Sequence, residues 1–222
     1  RPRRWTPPSP AALVPWAVVG ALLALWELGV ATGAIDPFFF GRPSEIGAFL
    51  ASGVVDGSLF GHAAITLWAQ MLGLALGTVV GTAIGLGLWW SPFLAKVLEP
   101  YAVVLNATPK IVIAPLLVVW FGLGLMSKIM IAALICVIVA WLGAFEGMRR
   151  VDPDQLDLMR SLGAKRPRIF RAVVLPSAMP DIFATLRLNV GFALIGVVTG
   201  EFLSSTAGLG YVVDSTAKNY QM

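Results

Sequence analysis

Long apolar runs dominate the chain, separated by short stretches in which charges and prolines collect. Leu13 to Ile35 is interrupted only by Glu27, Ala63 to Trp90 closes on a tryptophan pair, and Tyr101 to Gly122 contains Pro109 and Pro115. Lys128 to Phe145 is shorter and continuous, and Ile182 to Leu203 carries Arg187, Asn189 and Glu201. A helix needs roughly 20 mainly apolar residues to cross a hydrocarbon core of about 30 Å. The pattern therefore predicts an all-α, polytopic membrane protein with five spans, at 13–35, 63–90, 101–122, 128–145 and 182–203. Residues 1–12 read as an N-terminal tail, 13–222 as one transmembrane domain, and 146–180 as its longest polar connection. The first run is too long for a cleaved signal peptide. After the fifth span the sequence ends in YVVDSTAKNYQM, and a sixth helix is expected to be missing there.

Composition agrees with lipid as the solvent. Of 222 residues 58% are hydrophobic and 13% charged, about half the usual charged share of a soluble domain. The isoelectric point near 9.6 points to topology rather than nucleic acid, because the basic residues cluster at the ends of the apolar runs. With the N-terminus inside, segments 1–12, 91–100 and 146–180 hold Arg1, Arg3, Arg4, Lys96, Arg149, Arg150, Arg160, Lys165, Arg166, Arg168 and Arg171. The opposite side holds Arg42, Lys128 and Lys218. Eleven against three is a strong positive-inside bias, and Trp89 with Trp90 suits an interfacial belt. The N-terminus and 146–180 are thus expected in the cytoplasm. One cysteine excludes a disulfide within the chain, and with one histidine it excludes a His/Cys metal cluster.

Several polar positions inside the runs are candidate chemistry. Gly73, Gly77, Gly81 and Gly85 recur every fourth residue, a spacing that lets another backbone approach closely in lipid. Helix packing is the first reading of this face; a solute path continuing through Gln70, Thr66 and His62 is the second. His62, near the interface, is expected to be solvated rather than a metal ligand. Pro109 and Pro115 predict an irregular third span, tolerated where it is buried in protein or lines a wet cavity. Asn106, Thr108 and Lys110 at that break, with Arg187, Asn189 and Glu201 in the last span, are the remaining solute-path candidates. Lys110 either snorkels or faces a cavity, and Arg187 shares that ambiguity. Glu27 is expected to be hydrated, while for Glu201 hydration and function stay open.

No phosphate-cradling GxxxxGK[ST] motif is present, and no Ser/His/Asp set can be assembled, so the chain is not expected to be an enzyme. The polar connection contains RSLGAKRPRIFRAVVLPSAMP from Arg160 to Pro180. Asp152 followed by Pro153 is a helix start. Leu156, Met159 and Leu162 repeat at helical spacing, and Gly163 is a stop. A second short helix is expected near Pro167, with Pro176 and Pro180 bracketing the turn back into the membrane. Apolar knobs flanked by arginines suit a groove on a partner protein, and equally an interfacial helix on anionic lipid.

The stretch DLMRSLGAKRPRIFRAVVLP resembles the cytoplasmic signature of ATP-binding-cassette importer permeases, EAA-xxx-G-x9-I-x-LP. Gly163 matches its glycine and Val173-Val174-Leu175-Pro176 its end, while Asp157-Leu158-Met159 replaces Glu-Ala-Ala. RPSEIGAFL, HAAITLWAQMLGLALG, NATPKIVIAPLLVVWFGLGLMSK, LRLNVGFALIGVVTGEF and GLGYVV are similar to the nitrate/sulfonate/taurine branch, although Ala69 stands where that branch has an arginine. The resemblance implies a type I importer-like permease of the bacterial inner membrane. It implies a coupling helix at about 153–164, with Asp157, Leu158, Met159, Arg160, Leu162, Gly163 and Ala164 contacting cytoplasmic ATPase subunits. It further implies a second permease copy forming a homodimer, an extracytoplasmic solute-binding protein, and ATP and magnesium used by the ATPase rather than bound by this chain. A small anion such as nitrate, a sulfonate or taurine is the expected solute. An ion-gradient-driven secondary transporter and a non-transporting scaffold are the rival classes; the former usually shows repeated halves, and none is visible.

Overall fold

The computed structural model describes residues 10–204 and 206–219, so residues 1–9 of the expected tail lie outside it. The chain divides into two units, one of Arg1–Phe60 with Ala217–Met222 and one of Gly61–Thr216. In the first, α1 (Pro10–Ala31), α2 (Pro37–Phe40) and α3 (Pro43–Val55) follow one another. Glu27 is not simply hydrated. Its carboxylate accepts from the Ser44 amide at 3.0 Å and the Ser44 hydroxyl at 2.8 Å, placing negative charge at the amino end of α3, where the helix dipole favours it. Before α4 (Ser58–Gly87), the Asp56 carboxylate accepts from the hydroxyl and amide of Ser58. Those two donors hold it below the usual carboxylate range.

The second unit continues through a 3₁₀ turn at Leu88–Trp90, α5 (Pro92–Ala107), a 3₁₀ turn at Lys110–Ile113, α6 (Ala114–Phe121) and α7 (Leu125–Arg149). It then runs through α8 (Pro153–Ser161), α9 (Arg166–Ile169), a π-turn at Phe170–Val174, α10 (Leu175–Ser204) and α11 (Leu209–Asn219). Among the described residues four helical runs are long and apolar enough to cross a membrane, those of α1, α4, α7 and α9–α10. The third expected span is different. It resolves into α5 and α6, which count as a fifth crossing only as a pair bent by 87°.

The cause of the bend is Pro109. Thr108 before it is extended, as a residue preceding proline prefers, and Pro109 has no N–H to continue the α5 ladder. A freed carbonyl finds a local donor. Lys110 Nζ donates to the Asn106 carbonyl at 2.9 Å, while the Val104 carbonyl keeps its helical donor, the Thr108 amide, and accepts the Thr108 hydroxyl as well at 2.8 Å. Pro176 and Pro180 behave in the opposite way, lying inside a helix rather than bracketing a turn. The π-turn immediately upstream, in which the Leu175 amide reaches back to the Phe170 carbonyl, loosens the ladder where the Pro176 ring would otherwise clash. The last helix therefore begins before the expected residue 182.

α7 is the most buried helix, with α4 and α10 packed against it. A Cβ on Gly73 would stand 2.6 Å from that of Ala132, one on Gly77 2.5 Å from that of Cys136, and one on Gly85 2.6 Å from the Trp141 carbonyl. Against α10 the small residues change helix along the contact. Gly196 and Gly200 of α10 approach the Ala132 and Lys128 backbone, and further along Gly143 and Gly147 of α7 receive Thr185 and Ala178. Asn189 locks the three helices together. Fully buried, it donates through Nδ2 to the Cys136 carbonyl and to Thr78 Oγ1, both at 3.1 Å.

A Cβ on Gly81 would collide with the Val137 carbonyl and the Ala140 methyl, whereas nothing lies within 4 Å of one on Gly61 in the same helix. Gly81→Val is expected to destabilise the purified chain by at least about 1–3 kcal/mol. Gly61→Ala is expected to be neutral or stabilising by up to about 1 kcal/mol. Thermal unfolding of both variants in detergent checks the contrast.

Candidate functional site

Two polar sites stand at opposite ends of α7. The first is α8, whose boundaries are set by local chemistry. The Asp152 carboxylate accepts from the Asp154 amide at 2.9 Å and Pro153 takes the first helical position. At the other end the Gly163 amide donates to the Arg160 carbonyl at 2.9 Å and the Ala164 amide to the Met159 carbonyl at 3.0 Å. With Gly163 at φ +73°, this is a Schellman stop. Leu156, Met159 and Ala164 pack against a cluster containing Trp141, Phe145, Met148, Val151, Ile169 and Val174. That contact seats α8 on the end of α7.

The residues expected to form one docking surface therefore divide. Met159 and Ala164 turn toward the chain's own core, while Leu158 and Leu162 are 60% and 73% exposed. Asp157 and Arg160 pair at 2.7 Å on the exposed face. Leu162 leaves the Leu156–Met159 face because it is the residue at which the helix ends. The support around α8 is braced by three arginines: Arg149 pairs with Glu99, Arg150 with Asp181 at 2.9 Å, and Arg166 donates to the Trp89 carbonyl at 3.2 Å.

The second site is buried. Lys128 lies in the first turn of α7 and Glu201 near the end of α10, each at the helix end where the dipole disfavours its charge. They are 2% and 1% exposed and pair at 3.4 Å. Lys128 Nζ also donates to the Ala207 carbonyl at 2.5 Å, and the Thr66 hydroxyl donates to Glu201 Oε1 at 2.9 Å. The start of α11 completes the arrangement. The Gly210 amide donates to Glu201 Oε2 at 2.7 Å, the Leu209 amide to Thr66 Oγ1 at 2.9 Å, and the Gly208 amide to His62 Nδ1 at 3.0 Å. The first amides of α11, which no turn of their own helix can satisfy, are thus held by side chains from α4 and α10. Gly208 has φ +120°, and a Cβ there would strike the Glu201 carboxylate.

Lys128 was not among the site residues expected from sequence, Thr66 was expected only as part of a solute path and instead bonds Glu201 and Leu209, and His62 is engaged rather than solvated. The available signal was the pair of opposite charges at one end of two long apolar runs, since charges at membrane depth seek partners. The other solute-path candidates do not converge. Gln70 donates to the Val190 carbonyl at 3.0 Å. Asn189 is the buried clamp described above. Asn106 and Thr108 are exposed at the α5–α6 break with Lys110, and Arg187 is exposed on α10.

Several apolar crossing helices, glycine-packed, with one capped helix presented at a basic end, define a multi-pass helical membrane protein. The chain belongs to the family described as binding-protein-dependent transport system inner membrane component, which matches residues 73–222. It is accordingly an ABC importer permease subunit. A protein described as a probable ABC transporter permease from Haemophilus influenzae is 35% identical over 201 residues, covering 90% of this chain and 81% of the relative. The taurine transport system permease protein of Escherichia coli is 29% identical over 220 residues, covering 97% and 80%. A permease protein of Bacillus subtilis named for aliphatic sulfonates transport is 30% identical over 192 residues, covering 86% and 70%. Relatives named for formylaminopyrimidine and riboflavin transport match at 28% and 29%. Among solved structures, an amino acid ABC transporter shares the fold with a TM-score of 0.56 at 23% identity, over 78% of this chain and 84% of that one.

Lys128→Met leaves the Glu201 carboxylate buried without its cation and is expected to cost about 3–5 kcal/mol. Lys128→Met with Glu201→Leu should recover a large part of that loss. Unfolding midpoints of both single variants and the double variant, read with the cleavage rate at 206–210 under limited proteolysis, test the coupling.

Proposed function

We propose that α8 docks into a groove of a cytoplasmic ATPase subunit and carries its ATP-driven closure to the helices of this permease. The supporting observation is the pairing of two exposed leucines, Leu158 and Leu162, with a helix whose other apolar residues are committed to the chain's own core. An exposed apolar pair on a rigidly seated helix suits helix-in-groove recognition. Asp157, Arg160 and Gly163 flank it, with Met159 and Ala164 supporting it from behind. The basic end of α7 then faces the cytoplasm, and the N-terminus lies on the same side.

In this reading two copies of the chain pair around the solute path and an extracytoplasmic binding protein delivers the solute. ATP and magnesium are bound by the ATPase, and this chain carries no ATPase site of its own. The solute is a small anion such as a sulfonate, taurine or nitrate. The taurine and sulfonate names of two relatives support that choice, as do the cations Arg187 and Lys110. Of the polar membrane residues, Gln70, Asn106, Thr108, Lys110 and Arg187 remain candidates for the path, while Asn189 and Glu201 serve packing and the α11 cap.

Affinity purification of the chain from its native membrane in mild detergent is expected to bring a stoichiometric ATPase subunit with it. Leu158→Asp with Leu162→Asp, and separately Gly163→Asp, should lose that subunit by more than tenfold and abolish ATP-dependent uptake. An ATPase retained by all three substitutions, or uptake that follows an ion gradient without ATP, overturns the docking assignment.

A further inference from the structure

Beside α8 the chain forms a groove of about 690 Å³ lined by Gly163, Ala164, Lys165, Pro167, Arg168, Arg171 and Ala172. Its charge is one-sided: three cations and no carboxylate. At the same end of the molecule Arg149, Arg150 and Arg160 are each neutralised by an acid. Lys165, Arg168 and Arg171 have no such acid among the described residues. They are exposed, yet Gly163, Pro167 and the turn of helix between Arg168 and Arg171 hold their backbones in one concave surface.

The position of the groove selects its ligand. Arg168 and Arg171 lie at the start of the long run from Arg166 to Leu203 that is apolar enough to cross a membrane. Next to them the Trp90 ring meets Phe170 at 5.6 Å, and Trp89 accepts from Arg166. Tryptophans of this kind mark the headgroup level. We infer that Lys165, Arg168 and Arg171 form a binding site for the phosphate of an anionic membrane lipid. Ala164, Pro167 and Ala172 give the glycerol portion an apolar floor. Basic pockets at the ends of membrane helices on the cytoplasmic side suit such headgroups. The groove shares Gly163 and Ala164 with the end of α8, but its three cations lie outside the exposed Leu158–Leu162 pair and the inference does not depend on the importer reading.

Native mass spectrometry of the purified full chain in a non-ionic detergent, titrated with phosphatidylglycerol or phosphatidylcholine, tests the site. Phosphatidylglycerol should bind at least tenfold more tightly, and its binding should weaken as salt rises. Lys165→Gln with Arg168→Gln and Arg171→Gln should weaken it on the order of a hundredfold. Arg168→Lys with Arg171→Lys, and Lys96→Gln outside the groove, should stay within a few-fold of the parent. If the triple variant does not fold, the salt series, the charge-preserving Arg168→Lys/Arg171→Lys variant and the Lys96→Gln control decide. Equal affinity for the two lipids, or displacement of phosphatidylglycerol by equimolar inorganic phosphate, overturns the lipid site. So does a triple variant that keeps phosphatidylglycerol but loses the ATPase subunit, which would make the groove a protein contact. Absent ATP-driven uptake would sink the importer reading and leave this titration untouched.

Discussion

Everything in the second unit depends on how closely two backbones can approach α7. In lipid, helix association gains little from removing apolar surface from water, so close packing and interhelical hydrogen bonds must supply the attraction. Small residues at Gly73, Gly77, Gly81 and Gly85 bring α4 into contact with the carbonyls of α7, and a second set shared between α7 and α10 does the same along the other seam. The approach then brings Asn189 within reach of a carbonyl on α7 and a hydroxyl on α4. A bulkier seam would separate those groups and leave the Nδ2 donors of Asn189 unsatisfied at membrane depth.

With the middle of the bundle held this way, its two ends solve different problems. At the α11 end, Lys128 and Glu201 sit where their own helix dipoles disfavour them, and each supplies what the other lacks. The carboxylate gains further donors by capping α11, so the pair also fixes where the chain goes after α10. At the basic end the chain does the reverse and leaves apolar surface uncovered. Leu156 and Met159 seat α8, the Schellman stop at Gly163 ends it, and Leu158 and Leu162 are left exposed. One end of α7 is thus tied internally, while the other presents a surface to something outside the chain.

The bonds within the second unit are unevenly distributed. The α4–α7–α10 seams are dense and specific. The α5–α6 pair is joined through a proline break at which Lys110 gives the Asn106 carbonyl a local donor.

Much of this was legible in order along the chain. The apolar runs located the long helices, the four-residue glycine period located the α4 seam, and Asp152-Pro153 with Gly163 bounded α8, because each is a local rule acting over one or two turns. The break at Pro109 was legible as irregularity but not as an 87° bend, since the angle depends on what packs beside it. Pro176 misled because the π-turn upstream absorbs a proline that ordinary helical spacing cannot, and Pro180 because it lies inside α10. Helical periodicity grouped Leu162 with Leu156 and Met159, but the helix ends at Leu162 and sends it outward. The Lys128–Glu201 pair, 73 residues apart in sequence, is decided only when α4, α7 and α10 are assembled. By itself the sequence determined where the long apolar helices run and where α8 starts and stops, through hydrophobic length and local backbone chemistry. Only tertiary structure decided which charges meet, which leucines remain exposed and which polar residues serve packing, because those outcomes depend on distances between helices that no local rule contains.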